Sequence, residues 1–239
     1  MGDPLGAMAL PENATENDII REIDKLVKRK WVQSKTYTPD DFVVFSSKEI
    51  APAILESPLF IKNVLYVDNL YRTLSKVQYY DISKRIEDEI SQWDDDGGLC
   101  IYLSVVMYWL FFFDKLCKKE NMNLVQGFVR YPPSPFAKMF NPSDTLLTSF
   151  HSWLSVNDCV IDLSIRQEAG FFDFKNSSPI ILGKLPEDLI MKGVKEPENT
   201  VLVYTAKILN KYNMDFTDWL KEHVTESYNV ITKYYGENQ

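Results

Sequence analysis

The sequence predicts an α+β fold in which a buried central helix packs on an antiparallel sheet, with further helices at both ends. Residues 100–113 form an uncharged apolar run, which is too short to span a bilayer and suits a core helix. Residues 123–131 and 149–165 have strand character. Both ends of the chain have apolar residues at helical spacing.

Composition supports a folded domain. The chain has 239 residues, of which 45% are hydrophobic and 13% aromatic, enough for a sizeable core. No internal repeat or linker is apparent, so residues 9–239 are predicted to form one domain. Residues 1–8, MGDPLGAM, are interpreted as an expression remnant.

The net charge and the cysteine pattern limit the partners, the metal sites and the cell compartment that are expected. A net charge of −8 argues against a nucleic-acid partner. The three cysteines contain no CxxC pair, which predicts neither a disulfide framework nor a zinc site. Because no signal peptide is recognisable, the predicted location is cytoplasmic, or exported without a classical signal peptide. No membrane span is expected.

The helices are predicted from capping residues and apolar spacing. Residues 13–32 begin with capping residues, and residues 57–77 have mixed helical character with uncertain breaks. Residues 81–93 show a clear three-to-four spacing and end before Gly97 and Gly98. Residues 200–235 are predicted to be mostly helical. The apolar stripe of the first segment is Ile19, Ile20, Ile23, Leu26 and Val27.

Between these helices lie strands and loops. Residues 123–131 alternate weakly and are predicted to form a strand. Residues 131–145 contain four prolines and are predicted to be a loop. Residues 149–165 are predicted to be a hairpin, and residues 168–188 are predicted to be irregular.

The hairpin turn sets a register. Asn157 and Asp158 lie between two apolar runs, and both residue types tolerate the positive φ of a two-residue turn. With that loop, Val156 pairs with Cys159. A four-residue loop keeps the same parity, whereas a three-residue loop changes it.

This register brings four polar or aromatic residues to one face. Trp153 lies opposite Asp162, and His151 lies opposite Ser164. His151 and Asp162 are then diagonal neighbours, with backbones about 7 to 8 Å apart. A carboxylate beside an imidazole is expected to accept the Nδ1 proton and leave Nε2 facing outward as a base.

Cys100 is the candidate nucleophile for that base. At a helix start, the free N–H groups and the positive dipole end stabilise a thiolate. Gly97 and Gly98 permit a sharp turn and close approach of a substrate. Cys100 taken alone is more typical of a buried structural cysteine, whereas the ordered set of Cys, His and Asp favours a catalytic site.

The segments GGLCIYLSVVMYWLF, LVQGFV and HSWLSVNDCVIDLS resemble the core of the transglutaminase-like, papain-related cysteine enzymes. The resemblance covers about 80 residues. It implies that Cys100 is the nucleophile, His151 the base and Asp162 the orienting acid. Trp153 matches the aromatic after the histidine and supports the site, and Gly127 matches a strand glycine.

The resemblance implies a cysteine enzyme that acts on an amide or acyl group through a thioester: a protease, deamidase or transglutaminase-type acyltransferase. It also implies an oxyanion donor upstream of the cysteine, for which Gln92 and Trp93 are the nearest candidates. No metal and no cofactor are predicted. A protein or peptide is the expected substrate, selected by the loops at 131–149 and 168–185.

Two alternatives stay open. GGLC also resembles arylamine N-acetyltransferases, which implies CoA-dependent acyl transfer, although DLSIRQ after the acid departs from their glycine-rich pattern. The other alternative is an inactive binding or scaffold module with the same fold.

The remaining candidates are interpreted as structural. Cys117 and Cys159 are expected to be core or surface thiols, and Cys159 lies on the hairpin face opposite to His151. His223 is expected to be a solvated helix residue, and the acidic runs EDE and DDD to be solvated faces.

Overall fold

A computed structural model describes residues 15–29, 38–80, 98–140, 142–143, 145–170, 172–174 and 180–237. The predictions that lie outside these residues are the remnant at 1–8, the helix at 81–93, the acidic runs EDE and DDD, Gly97, and the two oxyanion candidates Gln92 and Trp93.

The described chain is mixed α+β, as predicted. Its strands form one antiparallel sheet in the order β1-β6-β2-β3-β4-β5. The strands are β1 (Val43–Phe45), β2 (Met122–Tyr131), β3 (Leu147–Val156), β4 (Cys159–Asp162), β5 (Ile181–Leu182) and β6 (Ile190–Lys195). The helices are α1 (Glu16–Arg29), α2 (Pro52–Leu55), α3 (Pro58–Tyr80), α4 (Leu99–Phe113), α5 (Pro135–Lys138), α6 (Glu198–Tyr212) and α7 (Phe216–Glu237).

The central helix is α4, and it confirms the prediction from the apolar run. It packs against β2 and β3 on one side and against α3, α6 and α7 on the others. Nearly every residue from Leu99 to Phe111 is buried, so the helix needs no polar face. No helix among the described residues has the length and apolarity that crossing a membrane requires.

The flanking helices follow local signals. Thr15 accepts a hydrogen bond from the Asp18 N–H through its hydroxyl, and the Asp18 carboxylate accepts one from the Thr15 N–H, a reciprocal arrangement that starts α1. On α1, the side chains of Ile19 and Ile23 are fully buried. α3 runs from Pro58 to Tyr80 without the predicted breaks. Within the proline-rich loop, Ser134 caps the short α5.

The sequence analysis did not predict β6, which lies between β1 and β2. Gly193 and two lysines weaken its strand signal. Gly193 is needed there because a Cβ at this position would lie 2.9 Å from the Trp153 ring. A Cβ on Gly127, its partner in β2, would lie 2.1 Å from the Lys192 carbonyl oxygen. The two glycines therefore let β2 and β6 approach closely.

Each face of the sheet has its own hydrophobic core. Leu124, Leu154 and Ile161 point towards the helices and join the larger core. Their neighbours Val125, Trp153 and Val160 point the other way, into a smaller core with Phe45 and Phe172. This alternation is the two-residue period of a strand.

Candidate active site

The hairpin between β3 and β4 has the predicted register. Val156 pairs with Cys159, and Leu154 pairs with Ile161. Asn157 and Asp158 form the two-residue turn with φ values of 51° and 66°. Both lie in the left-handed region, where these residue types are tolerated. The ladder ends at Leu154 and Ile161, so β3 continues beyond it towards His151.

His151 and Asp162 meet as side chains beyond the ladder. The His151 Nε2 lies 2.8 Å from the Asp162 Oδ2, and both side chains are 1% exposed. The other carboxylate oxygen, Oδ1, accepts hydrogen bonds from the Ser164 N–H at 2.8 Å, the Ser164 hydroxyl at 2.8 Å and the Ile165 N–H at 3.0 Å. The main chain after β4 thus fixes the carboxylate.

The expectation that Nδ1 would meet the carboxylate is wrong. Beyond the last ladder pair, the Asp162 carboxylate meets the far end of the imidazole, at Nε2. The Ser164 hydroxyl lies 3.4 Å from the same nitrogen. Nδ1 is therefore the nitrogen left for proton exchange with another group.

Cys100 lies in the first turn of α4 and is partly exposed. Its thiol is close enough to the His151 ring to raise the pKa of that ring. Burial lowers the pKa of His151, but the Asp162 carboxylate and the contact with Cys100 outweigh burial, and the pKa lies well above its ordinary value. The arrangement favours an imidazolium beside the sulfur.

Trp153 and Gly127 hold the imidazole in place. The Trp153 and His151 rings stack with centroids 6.4 Å apart and an angle of 22°. Trp153 is fully buried and also contacts Phe45 edge to face. Gly127 lies opposite His151 in the β2–β3 ladder. These residues leave the ring little freedom to rotate.

Sequence reasoning missed a polar pair near Cys100. Burial raises the pKa of Tyr204, the nearby Gln126 amide acts in the opposite direction, and Glu196 and then Cys100 add to the rise. The Gln126 Nε2 is buried and has no hydrogen-bond partner among the described residues. Gln126 directly precedes Gly127, but nothing in the strand pattern marked it.

Glu168 was also missed. Burial raises the pKa of its carboxyl group, whereas the charge of His151 and the nearby Ser149 hydroxyl lower it. Ser149 precedes His151 by two residues and shares its face of β3. Glu168 begins a region predicted only to be irregular, and its position in the sequence carried no signal.

The other two cysteines are structural, as expected. Cys159 is buried, and its thiol donates to the Glu49 carbonyl oxygen at 3.3 Å. Burial raises the pKa of Cys159, and it raises the pKa of Cys117 to about 11. Both thiols are therefore poor sources of thiolate at neutral pH.

The expectation for His223 is wrong, because its side chain is buried at 6% exposure rather than solvated. The Nδ1 atom lies 2.5 Å from the Tyr66 hydroxyl, and Nε2 lies 3.3 Å from the Tyr102 hydroxyl. The ring also contacts Trp219 edge to face. α7 therefore buries the face that carries His223 against α3 and α4.

In the part of the chain that the structure describes, no group of three or more His, Cys, Asp or Glu side chains could hold a metal ion. A scan against protein-family models and searches of curated proteins and of solved structures found no match to this chain.

Proposed function

We propose that this protein is a cysteine enzyme with a papain- or transglutaminase-like core, acting on an amide or acyl group through a thioester. The observation that carries the proposal is the position of His151. One nitrogen of its ring is bound by the buried carboxylate of Asp162, and Cys100, at the start of a helix, lies close enough to the ring to raise its pKa. A nucleophile, a base and an orienting acid need this order of contacts.

The proposed reaction begins with the proton of the Cys100 thiol on Nδ1 of His151. The sulfur attacks the substrate carbonyl carbon, and the carbonyl electron pair moves to the oxygen. When that intermediate collapses, the carbon–nitrogen bond breaks and His151 gives its proton to the leaving amine. The resulting thioester is then resolved by water or by another amine, which loses its proton to His151.

Two donors suit the oxyanion. The Cys100 N–H is in the first turn of α4, where amides have no carbonyl partner within the helix. The Gln126 Nε2, which is buried and has no hydrogen-bond partner among the described residues, is the second. Preorganised donors of this kind stabilise charge that develops on oxygen during attack.

Thiol alkylation tests the proposal without a known substrate. At pH 7, iodoacetamide should modify Cys100 first, because Cys100 is partly exposed and has the base His151 beside it. Cys117 and Cys159 should react at least ~10-fold more slowly, since burial raises the pKa of both. Peptide mapping by mass spectrometry over a time course gives the three rates.

A Cys100→Ala variant is the control, and it should leave only the two slow reactions. A peptide-amide electrophile should likewise add its mass to the wild type and not to this variant. The proposal is lost if Cys100 is the slowest of the three thiols, and the fold would then serve a binding or scaffold role.

A further inference from the structure

A cavity of about 390 Å³ lies beside the candidate site. It is large enough for a substrate side chain, because ligand pockets begin near 300 Å³. It joins the two regions that the sequence analysis assigned to substrate selection. Its walls are Ala137, Phe140 and Leu147 on one side and Phe172 on the other, with Ser149 and Glu168 as polar groups.

Two residues of the cavity lining relate it to His151. Ser149 lies two residues before His151 on the same face of β3, and Glu168 is close enough for the imidazole charge to act on its carboxyl group. A group seated in the cavity would therefore belong to a molecule that also reaches Cys100. The inference below rests on the proposed function in this one respect.

The apolar walls and the one acidic side chain of the lining indicate which ligand groups the cavity can bind. The walls suit methylene groups, and a partly buried carboxylate suits a cation at their end, as in a side chain with an apolar stem and a charged tip. The Ser149 hydroxyl is a further polar group in the cavity lining. Acidic residues outnumber basic ones by 34 to 26, which attracts cationic substrates over a longer range.

We propose that this cavity binds the side chain of a lysine in a peptide or protein substrate, with the methylenes against Phe140, Leu147 and Phe172 and the ammonium on Glu168. Phe136, at 55% exposure, packs against the Phe140 ring of the cavity wall with centroids 5.2 Å apart, and Met139, at 77%, directly precedes Phe140. They offer apolar surface for the rest of the peptide.

Binding to the Cys100→Ala protein tests this inference without turnover. The probes are N-acetyl-lysine N-methylamide, its norleucine and glutamate counterparts, and free butylamine, titrated by NMR. The lysine probe should bind about 10-fold or more tightly than the norleucine probe, and the glutamate probe should not bind. Free butylamine should bind more weakly than the lysine probe, because it lacks the peptide groups.

Two substitutions, each added to the Cys100→Ala protein, test whether Glu168 causes the preference for lysine. Glu168→Gln should reduce the preference for lysine over norleucine to about 1. Glu56→Gln makes the same charge change at an exposed acid that does not line the cavity, and it should leave the preference intact. If the Glu168→Gln variant does not fold, the affinities of the lysine and norleucine probes for the Cys100→Ala protein are sufficient to test the inference.

Equal binding of lysine and norleucine, no binding of the lysine probe, a preference for butylamine, or a preference that survives Glu168→Gln would each overturn the inference. Binding is measured without the thiol, so these outcomes say nothing about cysteine chemistry. Conversely, an unreactive Cys100 would defeat the proposed enzyme and leave a lysine-binding cavity in place.

Discussion

Asp162→Asn should lower turnover by roughly 10⁴-fold while the protein stays folded, by analogy with the effect known for serine-protease triads. The loss is expected because the hydrogen bonds to Oδ1 of Asp162, the carboxylate oxygen that does not face His151, fix how an asparagine side chain must be oriented. Oδ1 of Asp162 accepts from the N–H groups of Ser164 and Ile165, and main-chain N–H groups cannot act as acceptors. The amide oxygen of asparagine must occupy this position, and its NH₂ group must face His151.

The consequence is the wrong tautomer. The NH₂ group donates to Nε2 of His151, so the ring proton moves to Nδ1 and faces the Cys100 thiol. A protonated neutral nitrogen cannot take the thiol proton. Alkylation of Cys100 at pH 7 should therefore slow along with any substrate reaction, which gives a readout before a substrate is known.

Asp158→Asn is the matched control for this prediction. It makes the same substitution in the same hairpin, at an exposed turn residue whose positive φ asparagine tolerates. Circular dichroism and thermal unfolding should show both variants folded. A variant at position 162 that reacts like wild type would make Asp162 an ordinary strand residue.

Acid should destabilise the protein through His223. Burial lowers the pKa of His223 to about 4, whereas an unfolded histidine titrates near 6.5. The unfolded chain therefore binds more protons than the folded chain between these values. The stability associated with neutral His223 is complete above pH 6.5 and is lost as the pH falls towards 4, which amounts to roughly 3 kcal/mol.

Urea unfolding of wild type and His223→Gln at pH 7, 5.5 and 4 measures this contribution. Glutamine retains hydrogen-bonding groups near Tyr66 and Tyr102 but does not titrate in this range. The free energy of unfolding of the variant should fall less with acidification, by about 3 kcal/mol. Parallel pH curves for the two proteins would contradict the assignment.

His151 affects the pH dependence of stability in the opposite direction. Because its pKa is raised in the folded protein, it contributes stability below pH 6.5 that declines at higher pH.

Local signals predicted the parts of the site that depend on neighbours in sequence. The two-residue turn at Asn157 and Asp158 determines the hairpin register, and that register brings His151 towards Asp162. The uncharged run after Cys100 predicted α4, because a helix without a polar face must be buried on all sides. Each inference uses residues only a few positions apart.

Features that depend on distant contacts were not predictable in the same way. β6 owes its place to a close approach to β2 at Gly193, which its short and lysine-containing sequence does not reveal. The burial of His223 requires α3 and α4 to meet α7. Glu168 reaches His151 only because the chain turns back after β4. Which imidazole nitrogen meets Asp162 depended on side-chain reach rather than on register.

The enclosure of the imidazoles gives the native protein an unusual chemical selectivity. The chain has two histidines, and His151 and His223 are exposed by only 1% and 6%. Acylating reagents such as diethyl pyrocarbonate can reach the two imidazoles only when the surrounding structure opens. Cys100, in contrast, is partly accessible to small electrophiles in the native state. The rate of carbethoxylation at each ring therefore measures how often its surroundings open locally, so the two histidines serve as built-in probes of motion at two separate places in the fold.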